Sequence, residues 1–262
     1  MFEFHTNKQT YFNWQYYISR DYVLPFATQH LDKSHKLDIL EIGCAEAGVL
    51  KAFTDLGHQC MGIELESSRL ENAQFFMKEA IDKGLLRLLN KNIYDIDVAK
   101  DIGHKFDLII LKDVIEHIPN QEKFIPKLKE FLKPGGKVFF AFPPWYMPFG
   151  GHQQLCQNKF LSKMPYYHLL PTPMYKGVLR MGKEAEAVID GLVDIKETGI
   201  SVERFERICI ASGFSIVEKK YYFKNPIYQY KFNWKVSEQA RWISAIPFVR
   251  NFFTTCAYYV IG

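Results

Sequence analysis

The residues best suited to chemistry fall in a few short stretches. In Asp38-Ile-Leu-Glu41-Ile-Gly43-Cys44-Ala45-Glu46-Ala47-Gly48 an apolar run carries an acid, a glycine permits chain reversal, and Val49, Leu50 and Phe53 follow at helical spacing. Strand, tight turn and helix in that order predict a ligand at the turn. Open parallel sheets bind small molecules beyond the carboxyl ends of their strands, where N–H groups of the next helix point outward. Charge then selects the ligand. Residues 43 to 48, read as G-x-A-x-x-G, fall one Ala short of a dinucleotide fingerprint, and a pyrophosphate needs an electropositive cradle. Glu41 and Glu46 supply two carboxylates instead, which suit a cation.

S-adenosyl-L-methionine carries a sulfonium and an ammonium, and Glu41, two residues before Gly43, could hold the ammonium directly or through water. About twenty residues on, Cys60-Met61-Gly62-Ile63 reads as a second buried strand ending in Glu64. A carboxylate there can accept both ribose hydroxyls, a task common to NAD and S-adenosyl-L-methionine sites. Further along, Lys112-Asp113-Val114-Ile115-Glu116-His117 follows the apolar run Phe106 to Leu111, and Trp145 to Gln154 joins aromatic residues to His152 and two amides. A neutral histidine can take the proton of a hydroxyl acceptor at or before transfer, so His152 is the first candidate base and His117 the second. Both also have bland readings: His152 as a loop residue bonded to backbone, and Asp113 with Glu116 as a capping box opening a helix.

Four stretches together resemble the class I S-adenosylmethionine-dependent methyltransferases, particularly the ubiquinone-type small-molecule group: LEIGCAEAG at 40–48, GIELE at 62–66, FDLIILKDVIEHI at 106–118 and LKPGGKVFF at 132–140. They span roughly residues 37–142. The resemblance implies cofactor contacts from Glu41, Gly43, Ala45, Glu64 and Asp113. It also implies an Asn92 side chain on the adenine amino group, with Asp95 as fallback, and the Ile93 N–H on the ring. Asn92 could equally be a turn residue chosen for local hydrogen bonding. The family has Gly where this chain has Ala45 and Ala47, each adding a methyl where backbone and cofactor approach. In some ubiquinone-type members an acidic-x-x-Glu-His run binds a divalent ion. Asp113, Glu116 and His117 match that run, but they are too few to retain a hard ion unaided, so no resident metal is expected.

These residues need a frame. The pattern predicts an α/β fold: a Rossmann-like open sheet of about seven strands, mostly parallel with one antiparallel strand, helices on both faces. Four parts are read: an N-terminal helical cap (1–36), a cofactor-binding core (37–142), a substrate-binding insertion (143–198) and a C-terminal completion of the sheet (199–262). The cap is dense in aromatics (Phe2, Phe4, Tyr11, Phe12, Trp14, Tyr16, Tyr17, Tyr22, Phe26) and reads as padding for the sheet or as a lid. One helix is predicted over 67–82, one over 121–132 ended by Lys133-Pro-Gly-Gly, and one over 242–253 despite Pro247. Six of the twelve prolines lie between Pro143 and Pro173, which rules out a continuous helix or central strand there.

With 262 residues, 48% hydrophobic content and a net charge of +4, the chain can bury one substantial core plus an appendage. Five cysteines without a C-x-x-C pair point to free buried thiols in a reducing compartment, hence the cytoplasm, and to no zinc site. Neither a signal peptide nor a membrane span is read. From Lys219 onward seven Lys/Arg face one Glu among aromatics, a solvated basic face or a peripheral membrane contact. No nucleic-acid-binding motif accompanies the charge. The expected function is methyl transfer from S-adenosyl-L-methionine to a small-molecule acceptor, more readily at oxygen, leaving S-adenosyl-L-homocysteine. The alternatives are an NAD-dependent oxidoreductase and a catalytically inactive scaffold.

Overall fold

A computed structural model describes residues 7–262; Phe2 and Phe4 of the aromatic N-terminus lie outside the described residues. Eight strands form one sheet: β1 (Asp38–Ile42), β2 (Gln59–Glu64), β3 (Leu86–Asn90), β4 (Phe106–Lys112), β5 (Leu132–Phe142), β6 (Ile216–Lys224), β7 (Ser237–Glu238) and β8 (Cys256–Ile261). Their order is β3-β2-β1-β4-β5-β8-β6-β7. The first five are mutually parallel, while β8 runs antiparallel to both β5 and β6. Strand order reverses between β1 and β4, and such a switch point opens a crevice at the carboxyl edge. Ile109, Ile110 and Leu111 of β4 are all fully buried, as a strand covered on both faces requires.

Two apolar layers flank the sheet. One packs Leu40, Ile109 and Phe140 against Phe124, Phe205 and Ile208 of helices Gln121–Lys127 and Val202–Ala211. The other packs Ile39, Ile110 and Phe139 against Leu50 and Phe53 of helix Gly48–Thr54 and against Phe12, Ile18 and Phe26 of the N-terminal cap. That cap is helical from Lys8 to Ala27, with its middle turn, Ser19–Val23, widened to a π-helix. Residues between β5 and the helix Val202–Ala211 build a third cluster, in which Tyr175 and Leu179 of helix Thr172–Met181 meet Ile189 and Leu192 of helix Glu186–Thr198.

Several elements differ from expectation. The helix read over 67–82 is two, Ser67–Phe76 and Lys78–Asp82, broken at Met77 (φ −108°, ψ 16°), whose side chain is buried. The helix expected over 121–132 ends at Lys127 and tightens into a 3₁₀ turn, Leu128–Glu130; Pro126 occupies its last turn. Lys133 to Gly136 form an irregularity within β5, whose regular pairing with β4 resumes at Leu108 and Lys137. The segment 242–253 is not one helix. It forms two short ones, Arg241–Ser244 and Val249–Phe252, because Pro247 lacks the N–H a continuous helix needs. Helix Ile227–Phe232 and the short strand β7 were not foreseen. All five cysteines are buried and free.

Candidate active site

The turn after β1 is built by hydrogen bonds from Gly43 and Cys44 N–H to the Ile63 carbonyl (2.8 and 3.1 Å) and from Ala45 N–H to the Glu64 carboxylate (2.9 Å). Gly43 has φ +71°, and a Cβ there would lie 2.6 Å from a Val114 methyl. Ala45 and Ala47 occupy the same left-handed region at φ +48° and +61°. Both alanines therefore hold a conformation that glycine favours, at a cost of about 1–2 kcal/mol each.

A cleft opens at this turn, between β1, β4 and the N-terminal helix. Glu41 lies on its wall, 2% exposed, with one carboxylate oxygen unpartnered. Burial pushes this carboxyl well above the usual carboxylate range, against the pull of the Lys112 ammonium. Glu46 also lines the cleft, buried, with one oxygen unpartnered. Orphaned acidic oxygens of residues lining a cleft leave hydrogen-bonding capacity for a ligand's donors or positive charge. Glu64 is half-buried at the end of β2. Its carboxylate accepts from three backbone N–H groups, those of Ala45, Leu65 (2.8 Å) and Glu66 (3.0 Å), which fixes its orientation beside the turn.

Four lining residues were not among the cofactor contacts expected from the sequence, Tyr11 being named there only with the aromatic cap and Lys112 only as the neighbour of Asp113. Tyr11 and Gln15 come from the N-terminal helix, Arg69 from the helix after β2, and Lys112 from the end of β4. Arg69 bonds Glu66 at 3.0 Å, and Lys112 pairs with Asp113. Burial works against the Lys112 ammonium, but Asp113 beside it and Tyr11 hold its pKa above the ordinary value. Lys112 was legible as a neighbour of Asp113, whereas Tyr11 and Arg69 arrive only through packing.

Asp113 lines the cleft at φ +56°, its N–H bonded to the Ala141 carbonyl at 2.7 Å. It caps no helix. The following turn is a 3₁₀ turn, Ile115–His117, without a side-chain cap, so the expected capping box is absent: the Glu116 carboxyl is turned inward, 3% exposed, with neither oxygen partnered. Burial, with Asp113 adding, raises it well above the usual range.

Beside it stand the two histidines. The His117 and His152 rings lie 4.9 Å apart, and His117 Nε2 is 4.0 Å from a Glu116 oxygen. Burial lowers both pKa values, that of His152 to about 4 with His117 adding to the effect, so both are neutral at pH 7. The Asp113 charge acts on both rings in the opposite sense, linking this pair electrostatically to the cleft-lining acid. One ligand atom each from Glu116, His117 and His152 lies within 4.8 Å of the others. The set compact enough to hold a cation thus includes His152 in place of the expected Asp113, whose carboxylate is engaged by Lys112.

The loop carrying His152 is held by a histidine of another kind. His168 is fully buried; its Nε2 donates to the Trp145 carbonyl (2.9 Å) and its Nδ1 accepts from Gln153 (2.7 Å). A Cβ at Gly150 would lie 2.2 Å from the Trp145 oxygen, and one at Gly151 would lie 2.4 Å from His168 Cβ, so both glycines are needed for this close packing. Asn92 and Ile93 sit past β3 and are not among the residues lining the cleft; Asn92 is exposed, and its side-chain oxygen accepts from the Tyr94 N–H at 3.0 Å.

The family model described as a methyltransferase domain matches residues 12–168. The ubiquinone biosynthesis O-methyltransferase of Chelativorans sp. is 31% identical over 105 residues, covering 40% of this chain and 40% of that protein. Its counterpart from Leptothrix cholodnii is 26% identical over 118 residues, 45% of this chain and 49% of that one. The chain thus spans less than half the length of these curated relatives. Among solved structures, an S-adenosylmethionine-dependent methyltransferase from Clostridium acetobutylicum superposes with a TM-score of 0.56 at 14% identity, over 94% of this chain and 91% of that one. The plantazolicin methyltransferase BpumL, crystallised with SAH, gives 0.55 at 10% identity, over 97% and 83%. At such identities the superpositions establish the fold.

Proposed function

Because the chain belongs to the methyltransferase-domain family, we propose that it transfers a methyl group from S-adenosyl-L-methionine to a hydroxyl oxygen of a small-molecule acceptor, in the cytoplasm. The observation that carries the cofactor is Glu41: a buried carboxyl with an unpartnered oxygen, on a cleft at the switch point of the sheet. Glu41 and Glu46 receive the ammonium end, directly or through water. Glu64 receives the ribose hydroxyls, and the backbone of Gly43 and Ala45 lies against the cofactor. Asn92 and the Ile93 N–H serve the adenine.

The bound sulfonium supplies an electrophilic methyl carbon. The protein's task is to align an acceptor oxygen behind that carbon and to exclude water. With the cofactor bound, an acceptor oxygen would take that methyl and S-adenosyl-L-homocysteine would leave as the thioether, while the hydroxyl proton would pass to a neutral imidazole. His152 is the first acceptor of that proton, with His117 beside it. Asp113, between the cleft and the pair, favours the imidazolium that results.

Calorimetric titration with S-adenosyl-L-homocysteine, with NAD in parallel, tests the cofactor. Micromolar binding of the first alone, weakened at least about tenfold by Glu64→Ala, is expected, since a hydrogen bond to a charged group contributes about 1.5–3 kcal/mol. Binding of NAD alone would overturn the reading in favour of an oxidoreductase. Binding of S-adenosyl-L-homocysteine without turnover on any hydroxylated acceptor would favour a scaffold.

A further inference from the structure

The segment from Arg241 to Phe253 is built inside out. Two of its polar residues, Arg250 and Asn251, face the protein. Arg250, 9% exposed, bonds Glu203 at 2.8 Å and Glu206 at 3.4 Å. Asn251, fully buried, donates to Glu203 at 2.6 Å and accepts from the Val202 N–H at 2.9 Å. Gln239 reaches in to the Arg250 carbonyl at 2.8 Å, and the Phe248 N–H donates to Glu203 at 2.9 Å. Its apolar residues face outward: Trp242 is 72% exposed, Phe248 65%, Ile246 43%, Val249 42%, Phe253 42% and Phe252 37%. Isolated apolar residues on a surface need no explanation, but six within twelve positions, above a polar network that fixes the backbone, form a patch. The break at Pro247 and the left-handed Phe248 (φ +63°) turn the large side chains away from the body.

The patch continues beyond the segment. The Phe252 ring lies 5.7 Å from Tyr146 and 6.1 Å from Tyr166, two tyrosines more than one-third exposed that flank the loop carrying His152. Along the chain, charge here is mostly basic. From residue 219 to 262 the sole acid is Glu238, which is held by Lys220 at 2.7 Å; Arg241 opens the first helix of the patch and Lys235 lies six residues before it. Exposed Trp and Phe with tyrosines at the margin and basic residues nearby match the chemistry of a bilayer interface, where aromatic rings sit at headgroup depth and cations meet anionic lipid.

We propose that residues 241–253, with Tyr146 and Tyr166 at their edge, are a docking surface for an anionic phospholipid bilayer. Contact is interfacial: each of the two helices has four residues, and no helix among the described residues is long and apolar enough to cross a membrane. Docking covers the outward rings while the Arg250 and Asn251 network stays intact. This surface stands independently of which acceptor the cleft takes.

The test is cosedimentation of the full chain with phosphatidylcholine vesicles, with and without phosphatidylglycerol, at low and high salt. Binding to the anionic vesicles, weakened by salt and reduced at least about tenfold by Trp242→Ser with Phe248→Ser, is expected. Phe160→Ser, which removes a 73% exposed ring outside residues 241–253, is expected to bind as the parent does. An unchanged melting temperature in the double variant shows that it folds, whatever ligand the cleft takes. Absence of vesicle binding by the parent, or equal binding by the double variant, would overturn the proposal. So would a dimer of the parent that the double variant dissolves, which would assign the patch to a second copy of the chain.

Discussion

Gly48 and Phe12 touch so closely that a Cβ on Gly48 would lie 2.7 Å from the Phe12 carbonyl oxygen and 2.8 Å from Gln15 Cβ. The N-terminal helix, which supplies Tyr11, Phe12 and Gln15 to the cleft, can rest on the turn after β1 only because this residue has no side chain. Gly48→Ala is expected to push the helix off the turn and cost about 1–3 kcal/mol, as overpacking does. Thermal melting and hydrogen exchange over residues 8–18 check it; an unchanged melting temperature with full protection would contradict it.

The two left-handed alanines are expected to respond differently to glycine. At Ala45, half-buried, Gly relieves the left-handed strain and removes a methyl from the cleft wall, so stability holds or rises by up to about 1 kcal/mol. At Ala47, fully buried in the core beside Val49 and Leu50, the lost methyl offsets that gain. Paired denaturant titrations should therefore separate Ala45→Gly from Ala47→Gly. Equal effects would mean that packing does not distinguish the two sites.

Acid should destabilise the protein in a defined window. His168 is fully buried, and its pKa falls from 6.5 to about 4 through burial. A histidine depressed in the folded state is protonated first in the unfolded chain. Its contribution is therefore complete above pH 6.5 and lost as pH falls towards 4, at most about 3 kcal/mol. His152 acts in the same direction. Calorimetry from pH 7.5 to 4.5 should show a falling melting temperature, and a flat profile would refute the assignment.

The histidine pair predicts a kinetic signature. His152→Ala should lower kcat on a hydroxyl acceptor by about 10²–10⁴ while S-adenosyl-L-homocysteine affinity stays as in the parent, with a smaller loss for His117→Ala. Parent kinetics in both variants would remove the pair from the proton transfer.

Metal should block this pair. EDTA is expected to leave turnover unchanged, whereas micromolar Zn²⁺ is expected to inhibit by taking the lone pairs of His117 and His152 beside Glu116, two imidazoles and a carboxylate being a good set for zinc. Inhibition should vanish in the His117→Ala, His152→Ala double variant if any turnover remains. Loss of activity with EDTA, restored by a divalent ion, would instead make the cluster a working metal site.

The chain alone makes legible the strand, turn and helix of residues 38–54, the acid ending β2, and the run of apolar strands. Each rests on local periodicity or on a glycine that a tight turn requires. It also placed Glu41, Gly43, Ala45 and Asp113 on one cleft, because successive strands of a parallel sheet deliver their carboxyl ends to the same edge. The rest follows from long-range packing. His117 and His152 are thirty-five residues apart in the chain and meet because a loop packed around buried His168 returns over the end of β4. Tyr11 reaches the cleft through one missing side chain at Gly48, and Asp113 is left-handed, not a cap, because its N–H is taken by β5. The inverted face of 241–253 was hidden for the same reason. Its composition is visible in the chain, but which way Arg250 and Phe248 point depends on where Glu203 lies, a contact between residues more than forty positions apart.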